Sequence, residues 1–333
     1  MKVVCRLEEL PLDFPRVVAT IGNFDGVHLG HQQLVRDLVT RAAAIEGTPA
    51  VVTFDPHPLQ VLAPNNAPRQ IQTLDQKLAV MEALGIRLAV VIPFTNELAQ
   101  TSALDFAVKI LKVKLKVHEI YVGPNFAFGH RREGSFNLLK EIGARQVFFV
   151  GRIHQVHFRG NRVSSTAVRQ ALVAGQVALA RRLLGRPFSL VGEIVHGAAI
   201  GTEIRVPTAN LHTANELLPR NGVYVSGLTV EGRRYGGVTN IGVRPTLAQD
   251  GSVVGQTIET HLLDFEGDLY GQSATLELLL YLREERRFVN TRALVNQIRK
   301  DVVRARRYFG WYLRAAPGVK MENIPDLGRA PGA

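Results

Sequence analysis

His28 and His31 stand three residues apart in Gly22-Asn23-Phe24-Asp25-Gly26-Val27-His28-Leu29-Gly30-His31, directly after the apolar run Val17, Val18, Ala19, Ile21 and ahead of an amphipathic stretch that begins at Gln32. Two imidazoles thus sit where a strand hands over to a helix. In an open parallel sheet, the crevice outside a strand's carboxyl end receives nucleotides, and a helix that starts there offers unpaired backbone N–H groups to phosphate. His28 and His31 are therefore expected to face a triphosphate, with glycines letting the turn close. The chemistry such groups suit is transfer at phosphorus. It calls for hydrogen-bond donors and positive charge rather than a nucleophilic side chain. Imidazoles in that field are expected to gain a proton despite an ordinary pKa of about 6.5.

Two further stretches suit the same task. Gly123-Pro124-Asn125-Phe126-Ala127-Phe128-Gly129 follows a strand pattern, and Arg162-Val163-Ser164-Ser165-Thr166-Ala167-Val168-Arg169 sets hydroxyls at a helix start beside arginines. Hydroxyls and first-turn amides grip phosphate; the serines also read as a plain N-cap. Asp55 and His57, between prolines in Asp55-Pro56-His57-Pro58, fit a conformational as well as a chemical role.

A different kind of group appears later. In Pro207-Thr208-Ala209-Asn210 a hydroxyl and an amide oxygen lie two residues apart, so on an extended segment both point one way and can complete the shell of a hard cation. From Gln256 to Leu263 the alternation puts Glu259 and His261 on one face and Ile258 and Leu262 on the other. A carboxylate so placed can accept a proton from an attacking hydroxyl. Taken singly, these segments also read as an ordinary turn and an exposed strand residue.

The elements that must position these groups fall into two textures. Candidate strands at Arg16 to Asn23, Ala50 to Phe54, Leu88 to Pro93, Glu119 to Gly123 and Gln146 to Val150 alternate with helical patterns, as in a parallel α/β sheet. Leu34, Val35, Leu38, Val39, Ala42 and Ile45 form one helix face; further helices are expected at Leu74 to Leu84, Ala103 to Leu111, Phe136 to Ile142 and Ser165 to Ala174. After Leu184-Gly185-Arg186-Pro187, β-branched stretches follow one another without helices, at Leu190 to Val195, Gly222 to Val230, Tyr235 to Ile241, Thr257 to Phe265 and Ala274 to Leu282. That spacing reads as a small antiparallel barrel. A helix from Thr291 to Phe309, with Leu294, Val295, Ile298, Val302 and Phe309 as its buried stripe, closes it.

Composition sets the outer limits. With 333 residues the chain favours two domains, expected at 1–184 and 185–315, with 316–333 as a flexible tail. No apolar run approaches the roughly 20 residues of a membrane span. Glu8, Glu9 and Asp13 interrupt the start where a signal peptide needs an apolar core, so a cytoplasmic protein is expected. Cys5 is the single cysteine, which excludes an intramolecular disulfide and disfavours a cysteine zinc site. The net charge of +11 admits nucleic acid, acidic membrane or polyanionic small molecules, and charge alone does not choose. Arg283, Arg286, Arg287, Arg299, Arg304, Arg306 and Arg307 read as a solvated helix face rather than a nucleic-acid patch, since no aromatic-basic stripe accompanies them.

The ordered set Gly22 to His31, Thr53-Phe54-Asp55-Pro56-His57-Pro58, Gly123 to Gly129 and Ser164-Ser165-Thr166 resembles the bacterial bifunctional riboflavin kinase/FAD synthetase (FMN adenylyltransferase) family. Pro207 to Asn210, Asn240-Ile241-Gly242-Val243-Arg244-Pro245-Thr246, Glu259-Thr260-His261-Leu262 and Asp268-Leu269-Tyr270-Gly271 resemble its kinase module. The resemblance covers roughly residues 17 to 309. It implies an N-terminal Rossmann-like nucleotidyltransferase domain, then a small antiparallel β-barrel domain with a C-terminal helix. Riboflavin, FMN, FAD and ATP are the implied small-molecule partners and Mg2+ the implied cofactor, with no tightly bound prosthetic group, nucleic acid or membrane. By the same resemblance His28 and His31 attend the ATP phosphates, with Gly22, Asn23, Phe24, Gly30, Asn125, Ser164, Ser165, Thr166 and Arg169 around the nucleotide. Pro207, Thr208 and Asn210 would hold magnesium-ATP, and Glu259 would be the general base for the 5′-hydroxyl of riboflavin. One departure concerns the approach to Pro207, where Thr202 replaces a common arginine and Arg205 a common glycine. It leaves open an adenylyltransferase whose barrel only binds flavin, or a nucleotidyltransferase for another phosphorylated acceptor.

Overall fold

The computed structural model describes residues 1–10, 14–123, 126–152, 157–158, 161–196, 208–243, 256–316 and 318–324. The chain divides into two compact units, Met1–Ser165 and Thr166–Ala333.

The first unit runs β1 (Lys2–Val4), β2 (Val17–Ile21), α1 (Leu29–Ala44), β3 (Thr48–Asp55), α2 (Pro58–Leu62), α3 (Leu74–Ala83), β4 (Leu88–Pro93), α4 (Asn96–Gln100), α5 (Ala103–Asp105) leading into a π-helical stretch (Phe106–Lys114), β5 (Val117–Val122), α6 (Phe136–Gln146) and β6 (Phe149–Arg152). The six strands form one sheet in the order β1-β4-β3-β2-β5-β6. Every pairing in it is parallel. All five residues of β2 are buried, because helices cover both faces. Its side chains alternate between the two layers. Val17, Ala19 and Ile21 join Phe106, Ile110, Leu139 and Ile142 on one side, while Val18 joins Leu34, Val35, Leu38 and Met81 on the other. A short pair, β7 (His157–Phe158) and β8 (Asn161–Arg162), lies apart from this sheet.

Three details depart from the sequence expectation. The edge strand β1, three residues long with two of them exposed, carries too little pattern to be read. The strand expected from Gln146 begins only at Phe149, since α6 continues through Gln146 and closes on Val147 in the left-handed region, at φ 59°. The helix expected over 103–111 is one α-turn followed by a π-helical run.

The second unit opens with α7 (Ser165–Val173) and α8 (Val177–Leu184), the latter not anticipated. Then come β9 (Phe188–Val195), β10 (Ala209–Thr213), β11 (Gly222–Val230), β12 (Arg233–Val243), β13 (Gln256–Leu262), β14 (Ser273–Arg283) and α9 (Thr291–Ala315). The strands close a barrel in the order β10-β13-β12-β11-β14-β9. All its pairings are antiparallel. Closure removes the sheet edges that would otherwise invite pairing with other chains. α9 packs Ala305, Phe309 and Tyr312 against Val223, Val225, Val238 and Leu279. The first half of its expected stripe, Leu294, Val295 and Ile298, is only half-buried. Most of its arginines face solvent as expected, but Arg283, on β14, pairs at 2.8 Å with Asp301, which is fully buried on α9.

The segment expected to fray after Ala315 instead packs where it is described. Met321 and Ile324 are buried in the α9–barrel core. Asn323 accepts from Gly236 N–H at 2.6 Å, donates to Gly236 C=O at 2.8 Å and also donates to Leu263 C=O. Among the described residues, no helix is long and apolar enough to cross a membrane. Asn323→Ala leaves the Gly236 N–H and the Leu263 carbonyl without the side chain that binds them, the Gly236 carbonyl keeping Leu263 N–H at 3.0 Å, and is expected to cost about 2 kcal/mol. Urea unfolding followed through Trp311, the single tryptophan, which lies on α9, checks this.

Candidate functional sites

From β2 the chain places β3 and then β4 on one side, whereas β5 and β6 lie on the other, so the strand order reverses between β2 and β5. Nucleotides bind outside the carboxyl ends of the strands at such a reversal. The loop leaving β2 there is residues 22–28. Gly22 N–H still donates to Val52 C=O at 3.1 Å, after which the backbone turns sharply. Phe24 at φ 49° and Val27 at φ 35° occupy the left-handed region, a sparsely populated one for side chains of this size. The surroundings enforce it. Phe24 and Val27 are buried. Val27 N–H donates to Phe24 C=O at 3.1 Å. The buried Asp25 carboxylate accepts from Ile71 N–H at 2.9 Å, and the Asp25 carbonyl accepts from the Ser165 hydroxyl at 2.8 Å. Strained backbone held from several directions is a mark of ligand-binding loops.

His28 is the N-cap of α1, and its Nδ1 accepts from His31 N–H at 3.3 Å. A neutral imidazole that accepts at Nδ1 carries its proton on Nε2. The two rings stack with centroids 3.7 Å apart and 15° between planes. Phe24 meets His31 edge-on at 5.2 Å. Gly30 allows this stack, since a side chain there would come within 3.1 Å of the His28 ring. Burial, then the His28 ring and then Lys77 push His31 well below the ordinary histidine pKa. In the ligand-free chain a second positive charge on a ring stacked against the first is disfavoured; the expected gain of a proton belongs to the field of a bound triphosphate.

Asn23, also in the loop, is oriented by His57. His57 Nδ1 caps α2 by accepting from Leu59 N–H at 3.1 Å, which leaves the proton on Nε2; Nε2 lies 2.9 Å from the Asn23 amide group, whose Oδ1 accepts that proton once the amide is turned end for end. His57 thus takes the conformational role. Ser165, the first residue of α7, commits its hydroxyl proton to the Asp25 carbonyl of the loop. Ser164 precedes it, and Thr166 and Arg169 follow on α7. Asn125 lies outside the described residues. The sequence reading did not single out Lys77. It is 7% exposed on α3, four residues before the buried Met81. A lysine on the apolar stripe of an amphipathic helix is the signal that would have found it.

In the barrel, strand register assembles the second group. Asn210 on β10 lies directly opposite Glu259 on β13, and Glu259 lies directly opposite Asn240 on β12. Directly paired residues project to the same face of a sheet, so these three form one row across three strands. Thr208 stands just before β10. On the other face of β13, Ile258, Thr260 and Leu262 are buried, as the alternation required. Asn240 was read only as part of a longer motif. Its place beside Glu259 depends on the register between β12 and β13, which residue spacing alone does not give. Pro207, Thr202, Arg205 and the stretch 244–246 lie outside the described residues.

The donor set of the row fits a hard cation carried on phosphate. A hydroxyl and an amide oxygen supply few protein ligands, as is usual for ions that arrive with a nucleotide. Among the described residues, no group of three or more His, Cys, Asp or Glu side chains converges as a metal site of its own.

Comparison with known proteins bears on both units. Residues 11–167 match the family model described as FAD synthetase, and residues 184–309 match that described as riboflavin kinase. A bifunctional riboflavin kinase/FMN adenylyltransferase of Pseudomonas fluorescens is 40% identical over 306 residues, covering 92% of this chain and 97% of that protein. The protein of the same name from Escherichia coli K12 is 38% identical over 294 residues, covering 88% and 93%. A crystal structure described as a macrolide-efflux protein from Streptococcus pneumoniae superposes with a TM-score of 0.82 at 26% identity, over 92% of this chain and 98% of that one. With two family models tiling its two units in order and full-length relatives on both, the chain belongs to the bifunctional riboflavin kinase/FMN adenylyltransferase family.

Proposed function

We propose that the family's two reactions run at two separate groups of residues, domain 1–184 carrying adenylyl transfer and domain 185–315 the kinase. The chain is a bifunctional riboflavin kinase and FMN adenylyltransferase, acting on riboflavin, FMN and ATP. Enzymes of both kinds use ATP with a divalent metal; we take that metal to be Mg2+ and the compartment to be the cytoplasm, where ATP is made available.

In adenylyl transfer, a phosphate oxygen of FMN attacks the α-phosphorus of ATP and pyrophosphate leaves. No covalent enzyme intermediate is needed, and catalysis lies in positioning and charge stabilisation. His28 and His31 donate ring N–H groups to the phosphates. Gly22, Asn23, Phe24 and Gly30 shape the approach, and Asn125, Ser164, Ser165, Thr166 and Arg169 complete the nucleotide's surroundings. The observation that supports this reading most is the stacked imidazole pair at the strand-order reversal.

In the kinase reaction, the 5′-hydroxyl of riboflavin attacks the γ-phosphorus of ATP. Glu259 accepts the hydroxyl proton, ADP departs, and Pro207, Thr208 and Asn210 hold the nucleotide with its cation. The register row Asn210–Glu259 supports this reading by bringing a cation-binding oxygen beside a carboxylate base. A barrel that merely binds flavin would leave riboflavin unphosphorylated, and the assay below separates that reading.

His28→Ala and His31→Ala are expected to abolish FAD formation, by 100-fold or more on the order of a lost transition-state donor, while FMN formation continues. Glu259→Gln is expected to stop FMN formation while FAD is still made from supplied FMN. Chromatography of flavins after incubation with ATP and Mg2+ reads both; equal loss of the two activities in any one variant overturns the separation of sites.

The depressed His31 pKa makes a further expectation. In the window from about pH 6.5 down to the folded value, the unfolded chain binds the His31 proton and the folded chain does not. Stability from this residue is therefore complete above that window and falls as pH falls through it. NMR titration should find the His31 ring neutral at pH 6, and His31→Gln should flatten the acid-side loss of stability in urea unfolding.

A further inference from the structure

Lys77 is a buried charge that neither reaction has yet used. Its position on the sheet-facing side of α3 leaves it 7% exposed, where an ammonium is costly to keep without a partner. Among the described residues, no hydrogen bond or ion pair engages it. The groups whose charge it feels are the Asp25 and Asp55 carboxylates, and it in turn acts on the His31 ring. Asp25 belongs to the loop after β2, and Asp55 is the last residue of the neighbouring β3. Ile71, on the segment that leads into α3, donates its N–H to the Asp25 carboxylate at 2.9 Å, so α3 starts beside the histidine loop at the carboxyl edge of the sheet. His31 Nδ1, close by, is likewise buried with no hydrogen-bond partner.

The stacked imidazoles supply hydrogen-bond donors at that edge. Two buried polar groups from different elements, the Lys77 ammonium and His31 Nδ1, both lack a partner at that edge. An anion seated there would satisfy them together. We propose that Lys77 is a phosphate-binding residue of adenylyl transfer, holding the β- and γ-phosphates of ATP beside His31 and remaining with them as pyrophosphate departs. The inference rests on the reading of the histidine loop as the ATP-phosphate site. It adds a cation to the one that Arg169 is proposed to bring. Lysine serves as a point charge for phosphate, so arginine retains the interaction in part while neutral residues do not.

The test uses the full-length enzyme and follows both directions of FAD formation, the reverse being FAD plus pyrophosphate giving FMN plus ATP. Lys77→Met is expected to raise KM for ATP and KM for pyrophosphate by about tenfold or more, as for a lost charge-assisted hydrogen bond, while KM for FMN stays within about twofold. Lys77→Arg is expected to recover both to within about threefold. A structural role would move all three constants together and would not be selective for pyrophosphate. Lys77→Gln, neutral and close in length, replaces the methionine variant if that one fails to fold. Phosphate-bearing constants unchanged, or moving in step with that for FMN, would overturn the role of Lys77. Measuring His31→Ala alongside keeps the two readings apart: full FAD formation by that variant sinks the site itself, whereas its inactivity beside an unaffected lysine variant sinks Lys77 alone.

Discussion

The helix that follows β2 leaves on one face of the parallel sheet, and the helix that follows β5 leaves on the other. This divergence opens a crevice at the carboxyl ends of the two adjacent strands, and the chemistry of the first unit depends on it. Because β2 is buried on both faces, its position and direction are fixed by packing. The loop that departs from it can then carry strained backbone at Phe24 and Val27 without losing its shape. Asp25 spends its carboxylate on Ile71 and its carbonyl on Ser165, so segments distant in sequence hold the loop closed.

Within that frame the imidazole pair is an electrostatic compromise. Stacking His28 on His31 and capping α1 with His28 Nδ1 settles which ring nitrogen bears the proton. It also keeps His31 neutral, since a second positive charge at that distance and depth is unfavourable. Neutral rings cost less to bury than charged ones and still donate hydrogen bonds where charge develops. Further positive charge comes from α3, which carries the buried Lys77.

The barrel reaches a comparable end by different means. Antiparallel pairing has a side-chain period of two, so one residue of slip would turn Glu259 toward the buried layer that holds Ile258, Thr260 and Leu262. Closure of all six strands, backed by α9 and by Met321 and Ile324, holds that register. The result is a row in which Asn210, Glu259 and Asn240 meet although they come from three strands.

Local pattern was enough to read the parallel strands β2 to β5, the covering helix α1, the barrel strands and the alternation around Glu259, because burial imposes periods of 3.6 and 2 on the residues themselves. It also marked the histidine loop, whose glycines and imidazoles are contiguous. What local pattern did not carry was β1, α8, the π-helical turn after α5 and the packing of the residues beyond Ala315, each decided by a partner elsewhere in the chain. The proton on His28 Nε2, the neutral state of His31, the buried Lys77 and the alignment of Asn240 with Glu259 belong to that second group. They arise from burial, and from distances between groups on different elements. By itself, then, the order of residues determined the kinds of groups and the elements bearing them, while tertiary packing decided their ionisation and their neighbours, since desolvation and through-space charge act only once the chain is folded.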